Sequence, residues 1–192
     1  MNALSQLKVS KAEFFRFVSQ QAEGRFEYEE GRIVQQMTGG TFAHSLLIQQ
    51  FITLLQGSFP AREWAITGQS RGVETAKTVR YPDVVLERRG ANTKDLSTAA
   101  PSLLIEVLSP TTESLDLNVK PPEYMSLAAL QAYIVASQDD MLCLVWQRGE
   151  DGRFPELPVE WRGSCAIISV DAFGITLPLA DIYRGIIDAP SR

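Results

Sequence analysis

The sequence predicts an α/β protein that forms one domain over residues 1–192 and contains a mixed β-sheet. Two stretches in the first third of the chain repeat apolar residues at helical spacing, whereas most later segments are short and β-like. Residues 102–109 form a short apolar run between two prolines, which is typical of a strand buried on both faces. The length allows one substantial hydrophobic core, and no internal repeat or linker composition divides the chain.

The N-terminal part of the chain is predicted to form a helix, a β-hairpin and a second helix. Ser10 and Glu13 match a capping box, which favours a helix that begins directly after Ser10. Glu30-Gly31 is a turn signal between two alternating segments, and Thr41 can cap the second helix. The predicted elements are a helix over residues 11–21, hairpin arms over 25–30 and 32–37, and a helix over 42–56.

The remainder of the chain is predicted to be mainly β-structure with short helices. Residues 88–98 are polar and residues 110–119 are rich in Thr, Ser and Asp, so both are predicted to be surface loops, the first of them mobile. Pro121 and Pro122 can occupy the first turn of a short helix. The predicted strands are 64–67, 71–75, 78–86, 102–109, 133–136, 141–146, 159–161 and 166–168, and the predicted helices are 123–127 and 179–184.

Composition limits the classes of function that this chain can have. The formal net charge of −5 argues against a dedicated nonspecific nucleic-acid binder, since such proteins are usually basic. Thirteen of the eighteen cationic residues are arginine, however, and arginine is well suited to binding phosphate. The chain has neither a long apolar run nor a secretory signal pattern, so no membrane association is expected. Cys143 and Cys165 lie among apolar residues and are predicted to be reduced core residues of a cytoplasmic protein.

Glu106 interrupts the buried apolar run and therefore requires a chemical explanation. An ionised carboxylate in such a strand is costly unless a metal, a cation or several donors surround it. Asp83 begins another strand-like run, and Lys120 follows Glu106 by fourteen residues. Two carboxylates on adjacent strands can converge on one hard cation, which lowers the pKa of a bound water and neutralises charge on a phosphate. A nearby lysine can orient or deprotonate that water and pair with the phosphate.

Each of these residues also has a structural interpretation that the sequence leaves open. Glu106 can be one half of a buried ion pair, with Lys120 or with an arginine as its partner. Asp83 can be a turn carboxylate that simply follows a proline. Two further acids, Glu113 and Asp116, are interpreted as acids of the loop over residues 110–119.

Five stretches spread over most of the chain carry a family resemblance: YPDVVLE, LLIEVLSPTTESLDLNVKPPEYMSL, LQAYIVASQ, RFEYEEGRIVQQM and TFAHSLLIQQFITLL. They resemble the Uma-two family of restriction endonucleases, which belongs to the PD-(D/E)XK nuclease superfamily. The block around EVLSP is fairly specific, whereas a lone PD is common. The resemblance implies a restriction-endonuclease-like core, with a central mixed β-sheet flanked by helices, and a metal-dependent endonuclease that hydrolyses DNA phosphodiester bonds.

The resemblance also implies roles for individual residues. Asp83 and Glu106 match metal ligands, with Mg²⁺ or Mn²⁺ as the implied ion. Glu27 matches the acid of the family's first hairpin, which is a further ligand or binds water. Lys120 matches a catalytic lysine at the start of the next helix. His44 matches the histidine of the second helix, as an auxiliary residue whose role is left open.

Two features depart from the pattern that the resemblance implies. In the superfamily the lysine commonly stands two residues after the acid, but that place is Leu108 in this chain. Lys120 is followed by Pro121 and Pro122, and the first proline is expected to bias Lys120 toward an extended backbone. Its side chain would then leave the backbone at a different angle. The family often has an acid where Ala132 stands, which concerns packing.

The sequence leaves two other functional classes open beside the DNA endonuclease. One is a nuclease-fold module that has lost turnover and binds nucleic acid or protein, which the acidic net charge and the displaced lysine favour. The other is an enzyme that hydrolyses a different phosphoester with the same residues. DNA is the expected substrate, and a homodimer is expected because nucleases that cut both strands often pair their sites.

Overall fold

A computed structural model of the chain describes residues 8–36, 39–90, 92–109 and 112–187. No helix within these residues has both the length and the apolar character needed to cross a membrane. The helices are α1 Lys11–Ser19, α2 Phe42–Ser58, a π-helix at Leu115–Val119, α3 Lys120–Met125, a 3₁₀ turn at Asp171–Phe173 and α4 Leu179–Ile182. The strands are β1 Arg25–Glu29, β2 Arg32–Gln36, β3 Trp64–Thr67, β4 Gly72–Glu74, β5 Thr78–Arg80, β6 Val84–Arg88, β7 Ser97–Thr98, β8 Pro101–Val107, β9 Ala132–Ala136, β10 Leu142–Gln147, β11 Val159–Arg162, β12 Ile167–Val170 and β13 Ile175–Pro178.

The strands form a six-stranded, a five-stranded and a two-stranded sheet. The six-stranded sheet has the order β11-β10-β9-β8-β6-β3, and the five-stranded sheet has the order β2-β1-β5-β4-β7. At the centre of the larger sheet, β8 pairs antiparallel with β6 and parallel with β9. This arrangement confirms the predicted fold class, in which helices flank a central mixed sheet.

The two faces of β8 pack against different helices because successive side chains of a strand point to opposite faces. Ile105 joins Phe51 of α2 in one buried cluster. Leu104 joins Tyr124 of α3 in a second buried cluster on the other face. The prediction that this strand is buried on both faces is therefore confirmed. By the same alternation, Glu106 lies on the α3 face together with Leu104.

The predicted caps and turn of the N-terminal part are present in the structure. Ser10 and Glu13 form the reciprocal hydrogen bonds of a capping box at the start of α1. The side chain of Thr41 caps α2 by accepting a hydrogen bond from the backbone of its third following residue. In the hairpin turn Gly31 has a φ of 98°, a conformation that favours glycine. The predicted end of the second hairpin arm, Met37, lies outside the described residues.

The segment predicted as one strand over residues 78–86 is divided between two sheets. Its first part is β5, which pairs with β1 and β4 of the five-stranded sheet. Its second part is β6, which pairs with β3 and β8 of the six-stranded sheet. Pro82 has no backbone N–H to donate, so the chain can leave one sheet and enter the other at this point. Asp83 consequently stands at the junction of the two sheets.

Three other predictions about secondary structure were wrong in part. The predicted loop over residues 110–119 contains the π-helix, while its first two residues, Pro110 and Thr111, lie outside the described residues. The short helix predicted at residues 123–127 begins earlier, at Lys120. The predicted loop over residues 88–98 ends in β7, which is only two residues long. Short elements of this kind depend on tertiary contacts more than on a local apolar period.

Strand β13 was not predicted from the sequence, although it pairs with β12 over four residues. The prediction for the cysteines holds for Cys143, which is buried in the core. It was wrong for Cys165, which is exposed. Apolar neighbours in the sequence do not place a residue in the core when the segment is a short connection before β12.

Candidate active site

Asp83 and Glu106 face each other across two neighbouring strands. In the β6–β8 pair, Val84 stands opposite Ile105, so one residue further along Asp83 meets Glu106. Asp83 Oδ2 accepts a hydrogen bond from the backbone N–H of Val107 at 2.8 Å. Glu106 Oε2 accepts one from the backbone N–H of Asp83 at 3.3 Å. Each carboxylate is therefore held beside the backbone of the other strand.

The side chain of Lys120 reaches this pair from α3. Its Nζ lies 2.8 Å from Glu106 Oε1 and 2.6 Å from Asp116 Oδ1, and all three residues are buried. The hydroxyl of Tyr124, one turn further along α3, donates to the same Glu106 oxygen at 3.1 Å. The structure thus brings Asp83, Glu106 and Lys120 together, and it contains the Glu106–Lys120 ion pair that was the structural alternative.

The expectation that Pro121 would hold Lys120 in an extended backbone was wrong. Lys120 has φ −66° and ψ −36°, which is a helical conformation. Its N–H donates to the carbonyl of Leu115, five residues earlier, in the wide turn of the π-helix. Pro121 and Pro122 fall in the first turn of α3, where missing N–H donors are tolerated. The wide turn accommodates both prolines and still directs Lys120 into the site.

Asp116 is a buried acid of this site that was wrongly interpreted as a loop acid. It precedes Lys120 by one helical turn, and its side chain is almost completely buried. Its Oδ1 contacts the Lys120 ammonium as an opposite charge without the alignment of a hydrogen bond. The four-residue spacing between an acid and a lysine was the sequence signal for this contact. Glu113, the other acid of the segment, is exposed.

Glu27 is buried near the site but is held by a different cation. Its Oε2 accepts hydrogen bonds from Arg80 at 2.8 Å and from Gln36 at 3.1 Å. Its Oε1 accepts only a long bond of 3.4 Å from the backbone of Tyr81. Among the described residues, no direct contact joins Glu27 to the pair of strand-end carboxylates.

Arg80 was not predicted as a site residue, yet it organises the acids of the five-stranded sheet. Its side chain is 2% exposed, and its guanidinium contacts the carboxylates of Glu27, Glu29 and Glu123. Because Glu123 belongs to α3, this cluster joins the five-stranded sheet to the helix that carries Lys120. Sequence spacing gives no signal for it, since Arg80 in β5 meets partners from two other elements, β1 and α3.

His44 and Gln69 contact the two carboxylate oxygens of Asp83. His44 Nε2 lies 3.2 Å from Asp83 Oδ2, so the predicted auxiliary histidine does reach the strand-end acid. The side-chain amide of Gln69 donates to Asp83 Oδ1 at 2.5 Å and accepts a hydrogen bond from Arg25. Gln69 and Arg25 were not predicted as site residues. Neither has a sequence spacing that points to Asp83, because their contacts join separate segments of the chain.

These side chains line one cavity of about 600 Å³ between the two larger sheets. A larger groove of about 920 Å³ lies elsewhere, is lined mainly by apolar and proline residues, and contains none of the predicted site residues. The smaller cavity is therefore the candidate active site on chemical grounds. Its ionisable lining residues are Arg25, Glu27, His44, Tyr81, Asp83, Glu106, Asp116 and Lys120.

Comparison with known protein families shows which family this chain belongs to. The Uma2 family model, described as "Putative restriction endonuclease", matches residues 12–180, which is most of the chain. The chain belongs to the Uma2 family. This match includes the hairpin, the second helix and the segments that carry the site, and it confirms the resemblance of the sequence to that family.

Two individual proteins are similar to this Uma2 chain over nearly their whole length. An uncharacterized protein of Synechocystis sp., slr1290, is 26% identical over 182 residues, which cover 93% of each chain. A crystal structure described as that of "a putative nuclease belonging to DUF820", from Anabaena variabilis, superposes with a TM-score of 0.74. It covers 93% of this chain and 99% of the other at 16% identity, so it supports the fold.

The pKa values of the two strand-end acids of this Uma2 chain are shifted in opposite net directions, because their hydrogen-bonding and charged neighbours differ. Burial raises the pKa of Glu106 to about 8, helped by the like charges of Asp116 and Asp83 and opposed by Lys120. Burial also acts to raise the pKa of Asp83, but His44 and hydrogen bonds to its carboxylate outweigh burial and lower it. Of these two acids, Asp83 therefore stays ionised more readily than Glu106.

Lys120 stays protonated in this environment. Burial acts to lower the pKa of Lys120, but the carboxylates of Glu106 and Asp116 outweigh it and raise the pKa above the ordinary value. A lysine that stays charged at neutral pH can donate hydrogen bonds and stabilise negative charge, but it does not accept a proton. Of the two roles expected for this lysine, orientation and charge pairing are favoured over deprotonation of water.

The donor set of this Uma2 site fits a hard divalent cation. Four carboxylates line the cavity, of Glu27, Asp83, Glu106 and Asp116, and oxygen is the ligand atom that Mg²⁺ prefers. Asp83 Oδ1 and Glu106 Oε2 each accept one hydrogen bond from the described residues, which leaves a lone pair on each oxygen. No group of three or more acids, histidines or cysteines in the described ranges is arranged as a metal site. Two protein ligands are sufficient for Mg²⁺, which usually keeps several waters.

Proposed function

We propose that this Uma2 protein is a metal-dependent endonuclease that hydrolyses phosphodiester bonds in DNA, with Mg²⁺ or Mn²⁺ as its metal. The observation that carries the proposal is the opposed pair of Asp83 and Glu106, buried at a strand end beside a protonated Lys120. Asp83 and Glu106 would hold the ion. When bound, such an ion lowers the pKa of water and neutralises charge that develops on the phosphate.

The other residues of the site hold the acids in place and supply positive charge. Lys120 donates to Glu106 and can pair with a phosphate oxygen, since an ammonium group carries three donors. Tyr124 donates to the same oxygen of Glu106 and limits its movement. His44 and the N–H of Val107 orient Asp83 in the same way.

Glu27 is proposed as a further ligand or as a residue that binds water. The support for this role is its Oε1, which accepts one long hydrogen bond and lines the cavity. Arg80 and Gln36 hold its other oxygen, so Glu27 has less freedom to bind an ion than Asp83 has. We further propose that residues 1–192 form one domain and that the protein acts as a homodimer, as expected for an enzyme that cuts two strands.

A second candidate function is a nuclease-fold module that binds nucleic acid or protein without turnover. The contact of Lys120 with both Glu106 and Asp116 favours it, because this buried cluster balances much of its own charge without a metal. The like charges of Asp83 and Glu106 across the strand pair argue against it, since opposed carboxylates destabilise a purely structural sheet.

Cleavage assays separate the two candidates. We expect purified protein to cleave plasmid or linear DNA with Mg²⁺ or Mn²⁺, and we expect a chelator to abolish the reaction because phosphodiester hydrolysis then lacks charge neutralisation. Single-stranded DNA and RNA are included in the assay to define the substrate. Binding to nucleic acid without cleavage, over a range of substrates and with both metals, would support the module instead.

A further inference from the structure

The two cations that line the active-site cavity differ in how far they are neutralised. Lys120 is buried and lies within hydrogen-bonding distance of two carboxylates, of Glu106 and Asp116. Arg25 lines the same cavity from the start of β1 and is only partly buried. Within the described part of the chain, no carboxylate forms an ion pair with Arg25. Arg25 therefore has no carboxylate partner among the described residues and is better placed than Lys120 to receive an anion at the edge of the cavity.

The guanidinium of Arg25 is connected to the metal-site acid through one side chain. It donates to Oε1 of Gln69, while Nε2 of Gln69 donates to Asp83 Oδ1 at 2.5 Å. Because both ends of the Gln69 amide are engaged, its orientation is fixed. Arg25 uses one of its donors in this contact, and a guanidinium has five N–H donors in a planar fork. The remaining donors have no carboxylate partner among the described residues, and Arg25 lines the cavity that Asp83 also lines.

The lining of the cavity is rich in carboxylates, so a nucleic acid requires a cation without a carboxylate partner in order to enter. Four carboxylates, of Glu27, Asp83, Glu106 and Asp116, face the cavity and repel a phosphate. Arg80 is fully buried behind Glu27 and does not line the cavity. An arginine at the edge can pair with a phosphate through two parallel hydrogen bonds.

We propose that Arg25 binds a backbone phosphate of the nucleic-acid substrate beside the Asp83–Glu106 pair, oriented for this contact by Gln69. The inference rests on the proposed nuclease function and identifies the residue that holds the substrate in the site. Binding of phosphate by Arg25 affects affinity more than chemistry, because the contact forms before the reaction and persists through it.

The test is the substitution Arg25→Gln, with Arg32→Gln as its matched control. Arg32 is exposed at the opposite end of the same hairpin and loses the same charge. Binding of a fluorescent DNA duplex is measured in chelator at several salt concentrations, and KM and kcat are measured with metal. Arg25→Gln is expected to weaken binding and to raise KM, each by about tenfold or more, with kcat less affected. The slope of log Kd against log salt concentration is expected to decrease by about 0.9, which is the value for the loss of one phosphate contact.

The control variant is expected to keep the wild-type Kd, KM and salt slope. Arg25→Lys keeps the charge but lacks the fork, so it is expected to lie between wild type and Arg25→Gln, and it provides a test if the glutamine variant folds poorly. Equal behaviour of Arg25→Gln and Arg32→Gln, in an enzyme that Asp83→Asn inactivates, would overturn this inference alone. A wild-type protein that neither binds nor cleaves nucleic acid would overturn the proposed function together with it.

Discussion

Asp83→Asn and Glu106→Gln are each expected to reduce metal-dependent DNA cleavage by about 10²-fold or more, since residues that only support metal ligands already cost 10–100-fold when mutated. Both substitutions keep the shape of the side chain and remove the charge that would hold the cation. The loss is measured as the initial rate of cleavage at saturating metal. Glu113→Gln is the matched control, because Glu113 is an exposed acid of the neighbouring segment. It is expected to cleave at the wild-type rate.

The fold of the Glu106→Gln variant is expected to survive without metal. Burial raises the pKa of Glu106, so the unfolded chain releases this proton before the folded protein does as the pH rises from 4.5 to about 8. The free energy of unfolding therefore falls as the pH rises through that range, and glutamine, which does not ionise, removes this loss. Lys120 keeps Asp116 as an anionic partner in the variant. A melting temperature in chelator well below that of wild type would show instead that Glu106 is a structural ion-pair partner.

Arg80→Met is expected to lower the free energy of unfolding by about 3–5 kcal/mol, the cost of breaking a buried ion pair by removing one partner. The substitution leaves buried Glu27 without its cation, and it also removes contacts to Glu29 and Glu123. Those two acids are partly exposed, so solvent screens part of their contribution and the lower end of the range is favoured. Urea denaturation measures the change.

Arg62→Met is the control for the loss of an arginine. The side chain of Arg62 is 83% exposed, so a change within about 0.5 kcal/mol is expected. The double variant Arg80→Met/Glu27→Gln is expected to recover part of the lost stability, because it removes the stranded charge. If Arg80→Met is as stable as Arg62→Met, the acidic cluster does not join the five-stranded sheet to α3 in the way inferred from the contacts.

The strand-end acids could be predicted because they break local patterns. Glu106 interrupts an apolar run, and Asp83 follows a proline at the start of another, so both stand out without knowledge of the fold. Lys120 could be assigned only through the family resemblance, since a separation of fourteen residues along the chain does not by itself predict a contact with Glu106. Its helical backbone was not predictable from Pro121, because a residue before a proline is normally extended, whereas here the N–H of Lys120 is bonded to the carbonyl of Leu115 in the π-helix.

The residues that support the acids could not be found from the sequence. Arg80 reaches Glu27 over a separation of 53 residues, and Gln69 reaches Asp83 over 14 residues through a turn between sheets. Contacts of this kind depend on strand order, which apolar periodicity does not determine. Asp116 is the exception, because it precedes Lys120 by four residues, which is a helical spacing. That spacing indicates a contact only if the segment is helical, and the segment was predicted to be a loop.

The most direct test of the metal-site proposal is a crystal structure of the protein soaked in Mn²⁺, with anomalous scattering measured to locate the ion. We expect one anomalous peak between Asp83 and Glu106, with carboxylate oxygens about 2.0–2.2 Å away, as for a small octahedral cation. Glu106→Gln crystals under the same conditions are expected to lose the peak. A fully soaked wild-type crystal with no peak in this cavity, and with the Glu106–Lys120 contact unchanged at 2.8 Å, would contradict the account.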